Sequence, residues 1–284
     1  MLNLYQESGA QQAVFETITA HKERGVLFAY IAAPPMNLMG PELVRDLITL
    51  IQQTDADDST HVLVFRSADP DYFISHVDPT QITNSGPLAC NPSGEPALAM
   101  LFRILGASRL VTIAQIEGHV RGVGSEFVLA CDMRFAAREF ATFGQPEARF
   151  GLVPGASAVR HLTRLMGRGR ALEVLISADN YDARAAEHYG WVNRALPAVA
   201  LESFVNSLAH RIAGFPASGI AAIKKCVSAS AFAPAEGSDR DSTHFLDCVR
   251  NSETPHQISA TVKPEFQARA VEMDRMLRIL DTEV

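Results

Sequence analysis

Two carboxylates and two glycines carry the chemistry this sequence offers. Glu126 stands in Gly122-Val-Gly-Ser-Glu126, and Glu147 in Gly144-Gln-Pro-Glu147. Gly122 and Gly124 let the backbone turn tightly and let a ligand approach the main chain. From Ser125 onward, Phe127, Val128, Ala130 and Cys131 recur at helical spacing. A helix starting there leaves N–H groups around Val123 and Gly124 without intrahelical partners, a natural site for a developing negative charge. Glu126 in its first turn has an ordinary explanation, as a complement to the helix dipole. Glu147 adds a second one. A helix, a short strand and a turn separate the two glutamates, so they can face one another across a pocket, and paired carboxyls there move protons.

The elements that must position these groups are legible from the hydrophobic pattern. Leu110-Val-Thr-Ile-Ala-Gln-Ile116 is a β-branched run ending at Gly118 and reads as a buried strand. Phe140-Ala-Thr-Phe143 predicts a short strand, with Glu147 in the turn that follows it. Upstream, Phe15 to Ala20 and Val26 to Ile31 predict a hairpin across the charged turn His21-Lys-Glu-Arg-Gly25. Gly40-Pro41 opens a helix with an apolar stripe at Leu43, Val44, Leu47, Ile48 and Ile51. His61-Val-Leu-Val-Phe65 is the next buried strand. Pro79 to Pro96 is rich in turn residues and predicts a long loop, of the kind that serves as a lid. A helix over Ala97 to Leu105 leads to the central strand. Further helices are predicted at Ser157–Met166, Gly169–Ile176, Asp182–Tyr189, Leu201–Ala213 and Ala217–Ala231, with an amphipathic one over Lys263–Leu280. Asp182 is a good N-cap and Gly190 a good helix stop.

The motifs together resemble the crotonase (enoyl-CoA hydratase/isomerase) superfamily. The matching residues are Glu117-Gly118, Gly122-Val-Gly-Ser-Glu126, Ala130-Cys-Asp132, Phe143-Gly-Gln-Pro-Glu147, Gly151-Leu-Val-Pro-Gly155 and Leu162-Thr-Arg164. The resemblance spans about Val14 to Ala231. It implies an α/β fold, a crotonase-like ββα spiral core at residues 1–200, followed by a helical C-terminal region at 201–284 that serves oligomerisation. It implies catalytic roles for Glu126 and Glu147 and an oxyanion hole made by the Val77 and Val123 backbone N–H groups. Substrate contacts are implied at Ser75, His76, Asp78, Gly122, Gly124, Pro146 and Gly155. The substrate implied is an acyl-CoA or related thioester, with coenzyme A as part of the substrate and no separate cofactor. The assembly implied is a homotrimer or dimer of trimers. Family members with other reactions often lose one glutamate, so the pair favours water addition. Another crotonase reaction (isomerase, decarboxylase, hydrolase or C–C lyase) and a non-catalytic binding protein are the alternatives.

This sequence also departs from the family pattern. His76 replaces the habitual glycine, and Val77 and Val123 bring bulk to the oxyanion positions, which predicts a narrowed site. His76 reads either as an extra acid/base or substrate contact, or as a histidine that bonds nearby backbone. Asp69 and Asp71 stand where the family often has a base for the coenzyme A phosphates.

Composition excludes more than it selects. The chain has 284 residues, 47% hydrophobic and 20% charged, ordinary values for a globular protein with a sizeable core. A formal net charge of −7 offers no attraction to nucleic acid or an anionic membrane. Cys90, Cys131, Cys226 and Cys248 are scattered and form no CxxC pair, so free thiols in a reducing compartment are expected. No HExxH or similar spacing suggests a metal. No apolar run approaches the roughly 20 residues that span a bilayer. The first residues lack a basic signal region and the last carry no targeting address, so a cytoplasmic location is the expectation.

Overall fold

The computed structural model describes residues 15–78 and 96–231 together with positions 244 and 247. The expected loop over 79–95 and the expected tail helix over 263–280 lie outside the described residues. The chain begins with a hairpin, β1 (Ile18–Glu23) antiparallel to β2 (Val26–Ile31). The expected charged turn is shorter than its composition suggested. His21, Lys22 and Glu23 belong to the strand, and the turn is Arg24-Gly25, both at positive φ (46° and 80°). An edge strand tolerates these charges because its outer side meets water.

Helix α1 (Pro41–Asp55) follows, with Pro41 in its first turn and Leu43, Val44, Leu47, Leu50 and Ile51 buried. From there the chain advances in repeated units. Strand β3 (Val62–Ser67) enters a large sheet and β4 (Tyr72–Ile74) a small one. Helix α2 (Ala97–Ala107) leads to β5 (Val111–Ile116) in the large sheet and β6 (His119–Arg121) in the small one. Helix α3 (Val123–Ala130) leads to β7 (Met133–Ala137) and β8 (Thr142–Gly144), again divided between the two sheets. Each turn of this ββα spiral therefore adds one strand to each sheet.

A 3₁₀ turn (Pro146–Phe150) and helix α4 (Ala158–Ser177) come next. Helix α4 carries a non-helical Gly167 (φ 78°, ψ 164°), which matches the two shorter helices expected on either side of it. The small sheet closes with antiparallel β9 (Asn180–Asp182) and the large sheet with parallel β10 (Arg194–Leu196). Between them lies α5 (Ala183–Tyr189). Asp182 caps it by accepting the Ala185 N–H at 2.7 Å, and Gly190 ends it at φ 82°. The large sheet has the order β1-β2-β3-β5-β7-β10 and the small one β4-β6-β8-β9.

One face of the large sheet packs against α1, α2 and α3 to form the main core. The other face is covered by α6 (Ala198–Ala213), whose Leu201, Val205 and Ala209 meet Val26, Phe28, Val62, Val64, Ile113 and Phe135. Helix α7 (Ala217–Ala231) is tied down by Lys224, 2.7 Å from Asp132 and donating to the Leu110 carbonyl.

Candidate active site

Three chain segments converge where the small sheet ends. The first leaves β4 as Ser75-His76-Val77-Asp78. Asn37 holds the strand from below: its Nδ2 donates to the Tyr72 and Phe73 carbonyls, each at 3.1 Å, and to Ser67 Oγ at 2.8 Å. Beyond the strand, Met39 pairs with Val77 in a parallel bridge. The Met39 N–H donates to the His76 carbonyl at 2.9 Å, and the Asp78 N–H to the Met39 carbonyl at 3.3 Å. The Val77 N–H lies between these bonds and donates to nothing among the described residues.

The second segment is the start of α3. Gly122 sits at φ 52°, ψ −124°, a conformation glycine adopts at no steric cost, and sends the chain from β6 straight into the helix. The helix begins at Val123, two residues before the hydrophobic pattern indicated, so Val123 and Gly124 are its first N–H groups and lack intrahelical partners. Gly124 is pressed against β4: a Cβ there would stand 2.2 Å from the Ile74 carbonyl oxygen. At the far end, the buried Arg134 donates to the Cys131 carbonyl at 2.7 Å and to Val128 at 3.3 Å, a cation on the helix's negative end. Trp191 Nε1 donates to Ser125 Oγ at 3.1 Å and pins the first turn from the core side.

Glu126 is almost fully buried. Its Oε1 accepts the Ala156 N–H at 2.7 Å and the Ala158 N–H at 3.3 Å. The carboxylate thus satisfies two backbone donors at the start of α4, whose own N-cap Ser157 offers no side-chain bond and sits in the left-handed region at φ 82°. Glu126 therefore does more than complement the dipole of its own helix: it also anchors the Gly155–Ala158 turn.

The third segment carries Glu147. The Gly122 N–H donates to the Gly144 carbonyl at 3.0 Å, which sets the end of β8 beside the α3 start. Pro146 opens the 3₁₀ turn, so Glu147 is held in a short helix rather than at the tip of the simple turn expected. Its Oε1 lies 3.1 Å from where a Cβ on Gly122 would be. The residue as a whole is half-buried, but Oε2 is out of solvent's reach and has no hydrogen-bond partner among the described residues. Burial raises the Glu147 carboxyl to about 7, because a charge there gives up its water and a hydrogen bond from its own backbone N–H offsets only part of that loss.

These contacts tie the expected site residues into one neighbourhood. Ile74 touches Gly124, Gly122 touches Glu147, and Glu126 reaches the turn after Gly155. Ser75 and Gln145, both fully buried, add side-chain atoms left unsatisfied by the described residues. The sequence predicts that Val77 and Val123 narrow the site by their bulk; the Val123 side chain is taken into the main core, and Val77 packs against the same core. Nothing in the linear pattern pointed to Met39, Asn37 or the Ala156 and Ala158 N–H groups, because they act through backbone or across long sequence separations. His161, one turn into α4, is pushed down to about 4 by burial and then by Arg160, Arg134 and Arg164, so it is neutral at physiological pH.

With this geometry in hand, comparison with known proteins places the molecule. Residues 21–267 match the family model described as enoyl-CoA hydratase/isomerase. The chain belongs to that family, and the paired sheets and spiral described above are its crotonase fold. Among relatives, it is 30% identical over 200 residues to a crotonyl-CoA hydratase of Syntrophomonas wolfei, covering 70% of this chain and 76% of that one. To a probable enoyl-CoA hydratase 2, mitochondrial, of Arabidopsis thaliana it is 32% identical over 157 residues, 55% of this chain and about half (52%) of the relative. A solved structure from Streptomyces avermitilis, provisionally named an enoyl-CoA hydratase, superposes with a TM-score of 0.87. It is 44% identical, and the match covers 96% of this chain and 99% of that one.

Proposed function

We propose that this protein adds water across the double bond of an α,β-unsaturated acyl thioester, with coenzyme A as the carrier. The observation that carries the reading is the carboxyl of Glu147, set beside Gly122 at the start of α3 with Oε2 buried and unpartnered among the described residues, and titrating near neutrality. A carboxyl of that pKa holds a proton at working pH and can still release it. The thioester oxygen is received by the Val77 and Val123 N–H groups. Each such donor contributes roughly 3–4 kcal/mol to an enolate-like transition state in comparable acyl chemistry.

Glu126, fixed through Oε1 by two backbone donors, orients the water and takes its proton as the oxygen joins the β-carbon. Glu147 gives its proton to the α-carbon. Water is thereby added whole, and a proton passing from Glu126 to Glu147 through a following water resets the site. The buried polar atoms of Ser75 and Gln145 suit a pocket that takes up water and a polar head group, since such groups are rarely left unsatisfied. Crotonyl-CoA is the substrate to test. Its enoyl absorbance should decay in the presence of the protein, with 3-hydroxybutyryl-CoA as product. Release of free coenzyme A or a shifted double bond instead would replace this reading with hydrolysis or isomerisation.

The same reading extends to assembly. Helix α7 rests on the core through Ile220 and Lys224, while Ile223 and Val227, one turn apart, are 66% and 61% exposed, and Phe215 beside it 50%. We infer that this apolar face is covered in a homotrimer or a dimer of trimers. Light scattering at micromolar concentration should give a mass three or six times that of the chain, and a monomeric mass would refute it.

A further inference from the structure

His76 stands where the family habitually has glycine, and water addition as described gives it no task. The ring is only 7% exposed, and Nδ1 lies 2.7 Å from the carbonyl oxygen of the next residue, Val77. A carbonyl can only accept, so Nδ1 carries the proton and the tautomer is fixed. The main chain around the ring is equally committed. The His76 carbonyl accepts from Met39 N–H, the Val77 carbonyl accepts from the ring, and the Asp78 N–H donates to Met39.

The His76 and Val77 carbonyls and the Asp78 N–H are thus held, while the Val77 N–H donates to nothing among the described residues. It belongs to the same peptide unit as the His76 carbonyl. A donor on that oxygen polarises the peptide and strengthens the N–H at its other end. Strength is of use only if the N–H also points correctly, because oxyanion stabilisation depends on dipoles aimed before the charge appears. With glycine at position 76 nothing would grip the Val77 carbonyl from the side chain. Met39 holds the peptide plane that carries the Val77 N–H, and the ring's bond to the Val77 oxygen holds the following plane, so the Val77 torsions between them are fixed from both sides.

We propose that His76 is a positioning residue of the oxyanion strand: its Nδ1–H clamps the Val77 carbonyl and thereby aims the Val77 N–H at the substrate oxygen. The proposal rests on the reading that this N–H receives a thioester carbonyl. It assigns no proton transfer to the ring.

Two variants test it. His76→Ala removes the clamp without adding the backbone freedom of glycine, and His76→Asn keeps a donor in place of Nδ1, since Asn Nδ2 sits the same number of bonds from the backbone. With crotonyl-CoA, His76→Ala should lower kcat about tenfold, a fraction of the roughly 10²- to 10³-fold seen when an oxyanion donor is removed outright. KM should stay within about twofold, as ground-state binding is barely changed. His76→Asn should recover most of kcat. Acetoacetyl-CoA gives a second readout independent of turnover. Its enolate absorbs in the near ultraviolet, so the bound enolate fraction should fall in His76→Ala and return in His76→Asn.

Wild-type kcat and enolate signal in His76→Ala would overturn the proposal. So would equal losses in both variants, which would mark the ring itself as the reacting or contacting group. If His76→Asn restored melting temperature but not kcat, the bond would be structural and the assignment would fall. Glu147→Gln run alongside separates the levels. Its full activity would remove the underlying reading, whereas its inactivity beside an unaffected His76→Ala removes only the clamp.

Discussion

Glu147→Gln should lose about 10²- to 10⁴-fold in kcat, the usual cost of removing a general acid or base, while binding of substrate stays near wild type. Glutamine keeps the outline and hydrogen-bonding reach of the carboxyl and gives up only the exchangeable proton. The wild-type pH profile should agree. Glu147 must be protonated to deliver to the α-carbon, so kcat/KM should fall as pH rises through about 7, where burial has moved this carboxyl. Stability should move the opposite way in the variant. A carboxyl whose folded pKa is raised stabilises the fold fully below its unfolded value of 4.5 and loses that contribution as pH rises through about 7. At pH 8 the wild type therefore carries a buried charge costing about 3 kcal/mol, at 1.36 kcal/mol per pKa unit. Glu147→Gln is free of that cost and should melt roughly 5 °C higher at pH 8, with the difference shrinking towards pH 4. Full activity in the variant, or a melting temperature equal to wild type at pH 8, would show that Glu147 is an ordinary turn residue.

Under the proposed reaction, that opposition accounts for a glutamate in a place where it weakens the fold. Asp46 is also buried, but Thr17 and Glu16 N–H groups, the Thr17 hydroxyl and Arg45 all donate to it, and its pKa is lowered despite the desolvation that opposes this. Asp46 has the partners that hold a structural carboxylate charged. Glu147 lacks them at Oε2, and that difference supports the proton-transfer role proposed for it.

Much of this was legible in the sequence, and the limits have physical causes. Long elements announced themselves. The stripe of α1, the β-branched run of β5 and the Asp182 and Gly190 caps of α5 all sit where periodicity and capping chemistry put them, within a few residues. The small sheet was mostly invisible. Strands β4, β6, β8 and β9 have three residues each, too short for a period of two to emerge. They exist because the large sheet and helices hold their backbones side by side. Likewise Glu126 and Glu147 could be picked out by type and spacing, but not the difference between them. One is bonded by a turn thirty residues downstream and the other is left dry at Oε2 by the packing around it. Neither environment is written locally. Nor does the size of Val123 tell where its side chain goes, which is into the core.

Gly124 is where fold and chemistry are least separable, and Gly124→Ala should damage both. An added Cβ would stand 2.2 Å from the Ile74 carbonyl oxygen and 2.9 Å from Ile74 Cβ. Neither obstacle is a flexible side-chain end. Strand β4 cannot retreat easily, because Asn37 grips the two preceding carbonyls and β6 pairs along its side. The strain must move either the α3 start, with the Val123 N–H, or the Ser75–Asp78 segment, with the Val77 N–H. One methyl group would thus separate two donors that the proposed reaction brings to one oxygen. Forcing such a group into a packed contact costs about 1–3 kcal/mol, and misplacing an oxyanion donor costs about 10²- to 10³-fold in kcat. Gly106→Ala is the control, because a Cβ there meets nothing within 4 Å and the residue lies in a helix. That variant should melt at or slightly above the wild-type temperature, with kcat unchanged, since alanine is favoured over glycine inside a helix by about 1 kcal/mol. Thermal melts and crotonyl-CoA kinetics on both variants decide the matter. If Gly124→Ala matched Gly106→Ala in both measurements, the close approach of β4 to the α3 start would be disproved, and with it the convergence of the two N–H groups.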